Sequence, residues 1–363
     1  QSKDRFNVTI VRDKIDMKEQ EAKISYESRK AGGRQYRFGV IDLPSFYGGE
    51  KGGKSSYEDV KKLLAEARLQ AVDGIVLNLS RNGGGLLDEA VRLAGLFIGK
   101  GGIVAVRDGR GEVTILSNGS PSLWSFGNKR KVVRLPLESQ RSIYTGPLVV
   151  LTSRMSASAS EIVTGALKDY RRAVIVGADH TYGKGSVQAL FPLPWELGGM
   201  KVTTGLYFLP GGQSTQKTGV TADVVLPAWT SLEDVGEASL DYPLPAQSIR
   251  PFIAMWGKDA PVWKPVDEIL IPALASKSKA RVEKDAKFAK IIKDNKEAAA
   301  RRGVIQIAEF RKSMKEENGG KEKKTPSELR QKAREENAPF VNESINVLID
   351  MIVHAQTQTR QTS

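Results

Sequence analysis

Leu148-Val149-Val150-Leu151-Thr152, followed by Met155-Ser156-Ala157-Ser158-Ala159-Ser160-Glu161, is a strand running into a turn of small residues and then into a helix whose face carries Ile162, Ala166 and Tyr170. Small residues at such a turn leave a side chain accessible and backbone N–H groups free, and a helix N-terminus favours developing negative charge. A serine placed there can attack a carbonyl. Ser158 and Glu161 also have the S-x-x-E spacing of a capping box, which gives the serines a purely structural use. The segment by itself leaves both uses open.

Outward from this unit, strand and helix signals alternate. Residues 6–12 alternate like a strand, a polar segment follows through Arg34, and residues 36–43 read as a second strand ending at Pro44. A helix is expected over 57–70, with Val60, Leu63, Leu64 and Ala67 on one face. Residues 74–79 read as a short buried strand, 82–85 as a glycine-rich turn and 87–98 as a helix. Further strand signals fall at 103–107, 113–116, 173–176, 187–191, 202–209 and 224–226. Strands interleaved with helices predict an α/β layer architecture.

The composition shifts after about Pro251, where Lys, Glu and Ala dominate. Residues 251–363 hold 22 basic and 16 acidic residues, so the net charge of +13 is spread along the chain rather than clustered. Interspersed signs read as solvated helix faces, and no nucleic-acid partner is expected. No apolar run approaches the roughly 20 residues of a transmembrane helix. Val341, Ile345, Leu348 and Ile352 instead fall at helical spacing, as in an amphipathic packing helix. The 363 residues leave room for two or three domains, and the polar start at Gln1 reads as that of a processed or excised piece.

The absence of cysteine excludes a disulfide framework, a Cys nucleophile and thiolate metal sites. Only His180 and His354 are available for histidine chemistry, which weakens any Ser-His-Asp triad. Gly48-Gly49-Glu50-Lys51-Gly52-Gly53-Lys54-Ser55 matches the phosphate-loop pattern and lies between a strand and a helix. Against a nucleotidase stand the long exit through Pro44, Phe46 and Tyr47, a helix start expected at Ser56 with Asp59 as its capping pair, and Asn78 where a magnesium-holding carboxylate belongs.

A second chemical signal is Thr181-Tyr182-Gly183-Lys184-Gly185-Ser186-Val187-Gln188. Neutral lysine is a competent general base once burial disfavours its ammonium. Even offsets on a strand share a face, so Lys184 and Gln188 are expected to point the same way, with the amide orienting the amine.

Taken together, five stretches carry a resemblance: 74–87 with its Asn82-Gly83-Gly84-Gly85 turn, 156–161, 169–173, 183–188 and 214–223. In order and spacing across about 36–230 the chain resembles the tail-specific, or C-terminal processing, serine peptidases, which use a Ser/Lys dyad. The resemblance implies Ser158 as nucleophile, Lys184 as general base and Gln188 as its orienting partner. It also implies an oxyanion hole from the Ala159 N–H and one N–H of Gly83-Gly84, a supporting Asp169, and no metal or organic cofactor.

The implied fold is a crotonase/Clp-peptidase-like mixed α/β core followed by a charged helical C-terminal domain. Residues 1–35 then read as a remnant of the segment after a PDZ domain, 36–230 as the peptidase core, and 231–363 as linker and helical domain. The long Gram-negative members, which 231–363 resembles, act in the periplasm on proteins whose free C-termini are apolar and unstructured. A protein adaptor is a further expected partner.

The chain departs from the family at Asn78-Leu79-Ser80-Arg81, where Asp-Leu-Arg is usual, and in a stretch 177–184 that is one residue longer. A non-catalytic module that binds extended peptides along a sheet edge is the alternative of the same fold.

Overall fold

The computed structural model describes residues 21–48, 54–99, 101–117, 121–122, 133–134, 142–194, 197–231, 235–253, 263–300, 307 and 326–361. The strand expected at 6–12 lies outside them, as does most of the 48–55 glycine loop. A six-stranded sheet runs in the order β1 (Lys23–Ala31), β2 (Arg34–Asp42), β3 (Gly74–Asn78), β8 (Leu148–Thr152), β9 (Val174–Gly177), β12 (Val224–Val225). The ladders from β2 to β12 are parallel, and β1 closes the edge antiparallel to β2. A second, antiparallel sheet has the order β10 (Ser186–Pro192), β11 (Gly199–Phe208), β4 (Gly102–Asp108), β5 (Val113–Ser117). A short ladder joins β6 (Pro121–Ser122) to β7 (Val133–Arg134).

The strand at 23–31 corrects the sequence reading, which left this stretch as a polar segment. It pairs along its whole length with β2, and Ala31 faces Arg34 across a two-residue turn. Gly32 and Gly33 occupy that turn at φ +55° and +77°, where a side chain would be strained. The apolar signal was weak because an edge strand with one neighbour is only partly buried.

Alternation along the parallel strands sends side chains to both faces of the sheet. Ile41, Ile75, Leu77, Leu148, Val150 and Ile175 share one core with α1 (Ser56–Leu69), α2 (Leu87–Ile98) and α3 (Ala159–Asp169). Phe38, Val40, Val76, Val149, Leu151 and Val176 form the other core with α4 (Leu270–Val282), α5 (Ala286–Ala300) and α6 (Pro326–Gln361). The charged helices after residue 250 thus cover the far face of the parallel sheet, with Leu348 and Ile345 fully buried against it. The loops after β3, β8 and β9 emerge at the carboxyl ends of their strands, where open α/β sheets carry their sites.

Candidate active site

Three serines follow β8, and their surroundings separate them. Ser156 Oγ donates to Leu79 O at 2.8 Å and Ser160 Oγ to Asn82 O at 2.7 Å, both fully buried. These two hydroxyls bolt the turn to the loop after β3. Ser158 is half-buried, so it alone of the three faces outward. It is the N-cap of α3 and holds φ +56°, a conformation that costs a non-glycine residue on the order of 1–3 kcal/mol. The capping box is present as well: Glu161 Oε2 accepts the Ser158 N–H at 2.8 Å.

The glycine turn fits against this loop without room for a side chain. A Cβ on Gly84 would stand 2.9 Å from both Ala157 O and Ser158 Cβ, at φ +109°. Asn82, fully buried, donates to Leu43 O at 3.0 Å, and its backbone carbonyl accepts the Ala157 N–H at 3.2 Å. Its Oδ1 accepts the Gly84 N–H at 2.9 Å, so that N–H is not free for a substrate oxygen. Gly83 is exposed beside it. Ala159 occupies the first helical position, where an N–H has no intrahelical acceptor.

Glu161 joins this loop to the lysine loop. Its Oε1 accepts from Thr181 Oγ1 at 2.6 Å and Gly183 N at 2.7 Å, while its Oε2 accepts from Ser158 N at 2.8 Å and Lys184 N at 2.9 Å. One oxygen therefore gathers the backbones of Ser158 and Lys184. Burial pushes the Glu161 carboxyl up to about 7, against four hydrogen bonds that pull it down. Tyr207 of β11 ties the same two residues on their carbonyl side. Its phenol oxygen lies 2.5 Å from Lys184 O and 3.2 Å from Ser158 O, and it accepts from Thr215 Oγ1 at 2.7 Å. The single phenolic proton goes to the nearer carbonyl. Behind it, Gln216 Oε1 accepts the Gly185 N–H at 2.9 Å.

Lys184 Nζ donates to Gln188 Oε1 at 3.3 Å. The expected pairing is there, but not for the expected reason. Lys184 precedes β10, and a bulge between Val187 and Gln188 interrupts the alternation. Burial lowers the Lys184 amine below the usual lysine range, assisted by Lys201 and opposed by Glu237 and Glu161. The amine makes no hydrogen bond to Ser158 Oγ; its described partner is Gln188. Asp169 stays outside this group. It ends α3, about 16 Å along the helix axis from Ser158 at 1.5 Å per residue. There its Oδ2 accepts the Gly211 N–H at 2.6 Å, and burial raises its carboxyl.

The phosphate-loop alternative is not favoured at the helix start that the structure describes. The N-cap of α1 is Ser55, with Glu58 N as its donor at 3.4 Å, not Ser56 with Asp59. At this helix start the Glu89 carboxylate accepts from Ser55 Oγ, Ser56 Oγ and Tyr57 N at 2.6, 2.9 and 2.8 Å. The chain's own anion thus fills the place a phosphate would take, and Lys54 Nζ pairs with Glu21.

Sequence reasoning treated Glu161 only as a capping partner and passed over Asn82 as an anchor, Thr181, Tyr207 and Gln216. The S-x-x-E spacing was a visible signal for Glu161. Tyr207 has none, because its role depends on where β11 lies against two loops.

Residues 37–226 match the family model of peptidase family S41, and residues 230–353 match that of the C-terminal domain of tail specific protease. The tail-specific protease of Haemophilus influenzae is 36% identical over 241 residues, covering 64% of this chain and 30% of that protein. A carboxy-terminal-processing protease of Bartonella bacilliformis is 38% identical over 168 residues, covering 46% of this chain and 34% of its own length. The chain thus spans about a third of these relatives. Among solved structures, a photosystem II D1 C-terminal processing protease is similar at 29% identity and a TM-score of 0.41, over 56% of this chain and 48% of that one.

Proposed function

The chain belongs to peptidase family S41, and from that membership we propose that it is a serine endopeptidase working through an acyl-enzyme, with Ser158 as nucleophile and Lys184 as general base. The observation that carries this reading is the single Glu161 oxygen that accepts both the Ser158 and the Lys184 N–H. Two residues 26 apart in the chain thus share one acceptor, and in this reading the lysine side chain rotates away from Gln188 to bring its amine to the serine hydroxyl. Catalytic hydrogen bonds are often open before substrate binds.

In this mechanism the neutral Lys184 amine takes the proton of Ser158 Oγ as the oxygen attacks the scissile carbonyl. The oxyanion is received by the N–H groups of Ala159 and Gly83, since that of Gly84 is engaged by Asn82. The C–N bond breaks, Lys184 returns the proton to the leaving amine, and water deprotonated by Lys184 releases the acyl group. Gln188 holds the amine between turnovers, and Asp169 supports the fold of the β11 exit rather than the chemistry.

The substrates we propose are proteins with free, apolar and unstructured C-termini, met in the periplasm with an adaptor. We read 36–230 as the catalytic unit, with β1 of the preceding segment added to the edge of its sheet, and 231–363 as the linker and helical unit. The test is covalent labelling by a fluorophosphonate. Wild type should label, and Ser158→Ala and Lys184→Ala should not, with all three equally folded by circular dichroism. A folded wild type that takes no label, or a Lys184→Ala variant that labels at the wild-type rate, would end the dyad reading.

A further inference from the structure

A lysine that serves as base must spend its time as an amine, yet two carboxylates face Lys184: Glu161 from α3, and Glu237 from the 3-10 turn Glu237–Ser239. Both favour the ammonium. Glu237 is fixed there, since its N–H donates to Tyr182 O at 2.9 Å and its Oε1 accepts from Gln216 Nε2 at 3.1 Å. The phenols of Tyr207 and Tyr182, which approach from β11 and the lysine loop, are pushed up by burial and stay uncharged.

The balancing charge comes from β11. Beyond the bulge the β10–β11 ladder is regular, with Gln188 opposite Thr203 and Leu190 opposite Lys201. Gln188 and Leu190 are two apart on one strand and so share a face, and a residue directly opposite projects to that same face. Lys201 is therefore the diagonal neighbour of Gln188, at about 7–8 Å, well within reach of a four-carbon side chain. Gln188 Oε1 is where the Lys184 amine sits.

We propose that Lys201 is a positioning residue for the charge state of the base: its ammonium, on the face shared with Gln188, repels a proton from Lys184 and keeps that amine able to accept one from Ser158. The proposal rests on the dyad reading above. With burial, Lys201 lowers the Lys184 amine, while Glu237 and Glu161 raise it. Because Lys201 is exposed, the coupling is partly screened, and salt weakens it further.

The experiment measures the rate of Ser158 labelling by a fluorophosphonate against pH, from about 6 to 10, in the full chain. In Lys201→Met the midpoint should rise by about half a pH unit, lowering the rate near neutrality about threefold while the alkaline plateau stays at the wild-type level. Lys201→Glu should move it further, Lys201→Arg should restore the wild-type midpoint, and about 1 M salt should bring the profiles together.

A Lys201→Met profile that overlays wild type overturns the proposal. So does a profile lowered equally at every pH, which is a structural defect, or a complete loss of labelling, which makes Lys201 itself the base. Lys184→Ala is run alongside. If it labels like wild type the dyad reading falls and the proposal with it, whereas a dead Lys184→Ala beside an unmoved Lys201→Met defeats the proposal alone.

Discussion

Glu161 has no contact with water and four donors aimed at its two oxygens. Replacing it by glutamine puts an NH2 group against N–H groups that need an acceptor. A loss of alignment of about 1 Å between reacting groups can cost about 100-fold, and Glu161→Gln should lower labelling of Ser158 by at least about that factor. The charge also leaves a signature in stability. The carboxyl is raised from 4.5 to about 7 in the folded chain, so the folded state binds its proton more tightly than the unfolded state does. Its contribution is then full below the unfolded value and is lost as pH rises through about 7. The unfolding free energy of wild type, from urea titrations, should fall between about pH 5 and 8 relative to that of Glu161→Gln, by a few kcal/mol at most. Labelling of wild type should climb with rising pH as Lys184 loses its proton, so activity and this part of stability run in opposite directions. Parallel unfolding free energies for the two proteins across that range would show that the four donors keep the carboxylate ionised throughout.

At the scale of elements, the glycine turn approaches α3 too closely to admit a side chain at Gly84. Gly84→Ala would need a Cβ 2.9 Å from Ala157 O and Ser158 Cβ, in a backbone conformation that L-residues rarely adopt. Relief requires the turn or the nucleophile loop to shift, and the variant should lose more than about 2 kcal/mol by thermal or urea unfolding together with nearly all labelling. Gly83→Ala meets nothing within 4 Å and should fold as wild type does.

These elements were legible where local chemistry determines them. The bounds 148–152 and 87–98 follow from apolar runs closed by turn residues, and the small residues at 156–160 and 82–85 mark close approach. What was not legible depends on three dimensions. Strand β1 has too little buried surface to announce itself. The Gly84 N–H is claimed by a side chain two residues away, and Lys184 meets Gln188 across a bulge that breaks simple alternation. The helical spacing of Val341, Ile345, Leu348 and Ile352 marked only 340–353 of helix α6, and Pro339, which lacks the N–H that continues a helix, stands just before it. It runs through Pro339 from Pro326, carried by burial of Ile345, Val347 and Leu348 against the sheet.

For the whole molecule, the placement of the C-terminal helices makes fold and site one cooperative problem. Leu348 is fully buried, and its methyl carbons lie 3.3 Å from where a Cβ on Gly74 would stand, at the start of β3. Arg281 of α4 clamps α6 through Glu343 at 2.7 Å and Asp350 at 2.8 Å. From this layer Asn337 comes within 3.3 Å of Ser80 Oγ, whose backbone carbonyl accepts from Ser153 Oγ in the nucleophile loop. Since Ser80 Oγ gives its proton to Asn78 Oδ1 at 2.7 Å, the Asn337 amide must present its NH2 group to the hydroxyl. Glu237 reaches the lysine loop through Gln216 in the same way. The loops that carry Ser158 and Lys184 are therefore both braced from beyond residue 230. Leu348→Ala removes a side chain from the core that the helices share with β2, β3 and β8, at a cost of about 2–5 kcal/mol. In urea, the loss of far-UV circular dichroism and the loss of Ser158 labelling should coincide in wild type and move together to lower denaturant in the variant. Labelling that survives a first transition in which helix is lost would mean that the peptidase sheet stands without its second layer.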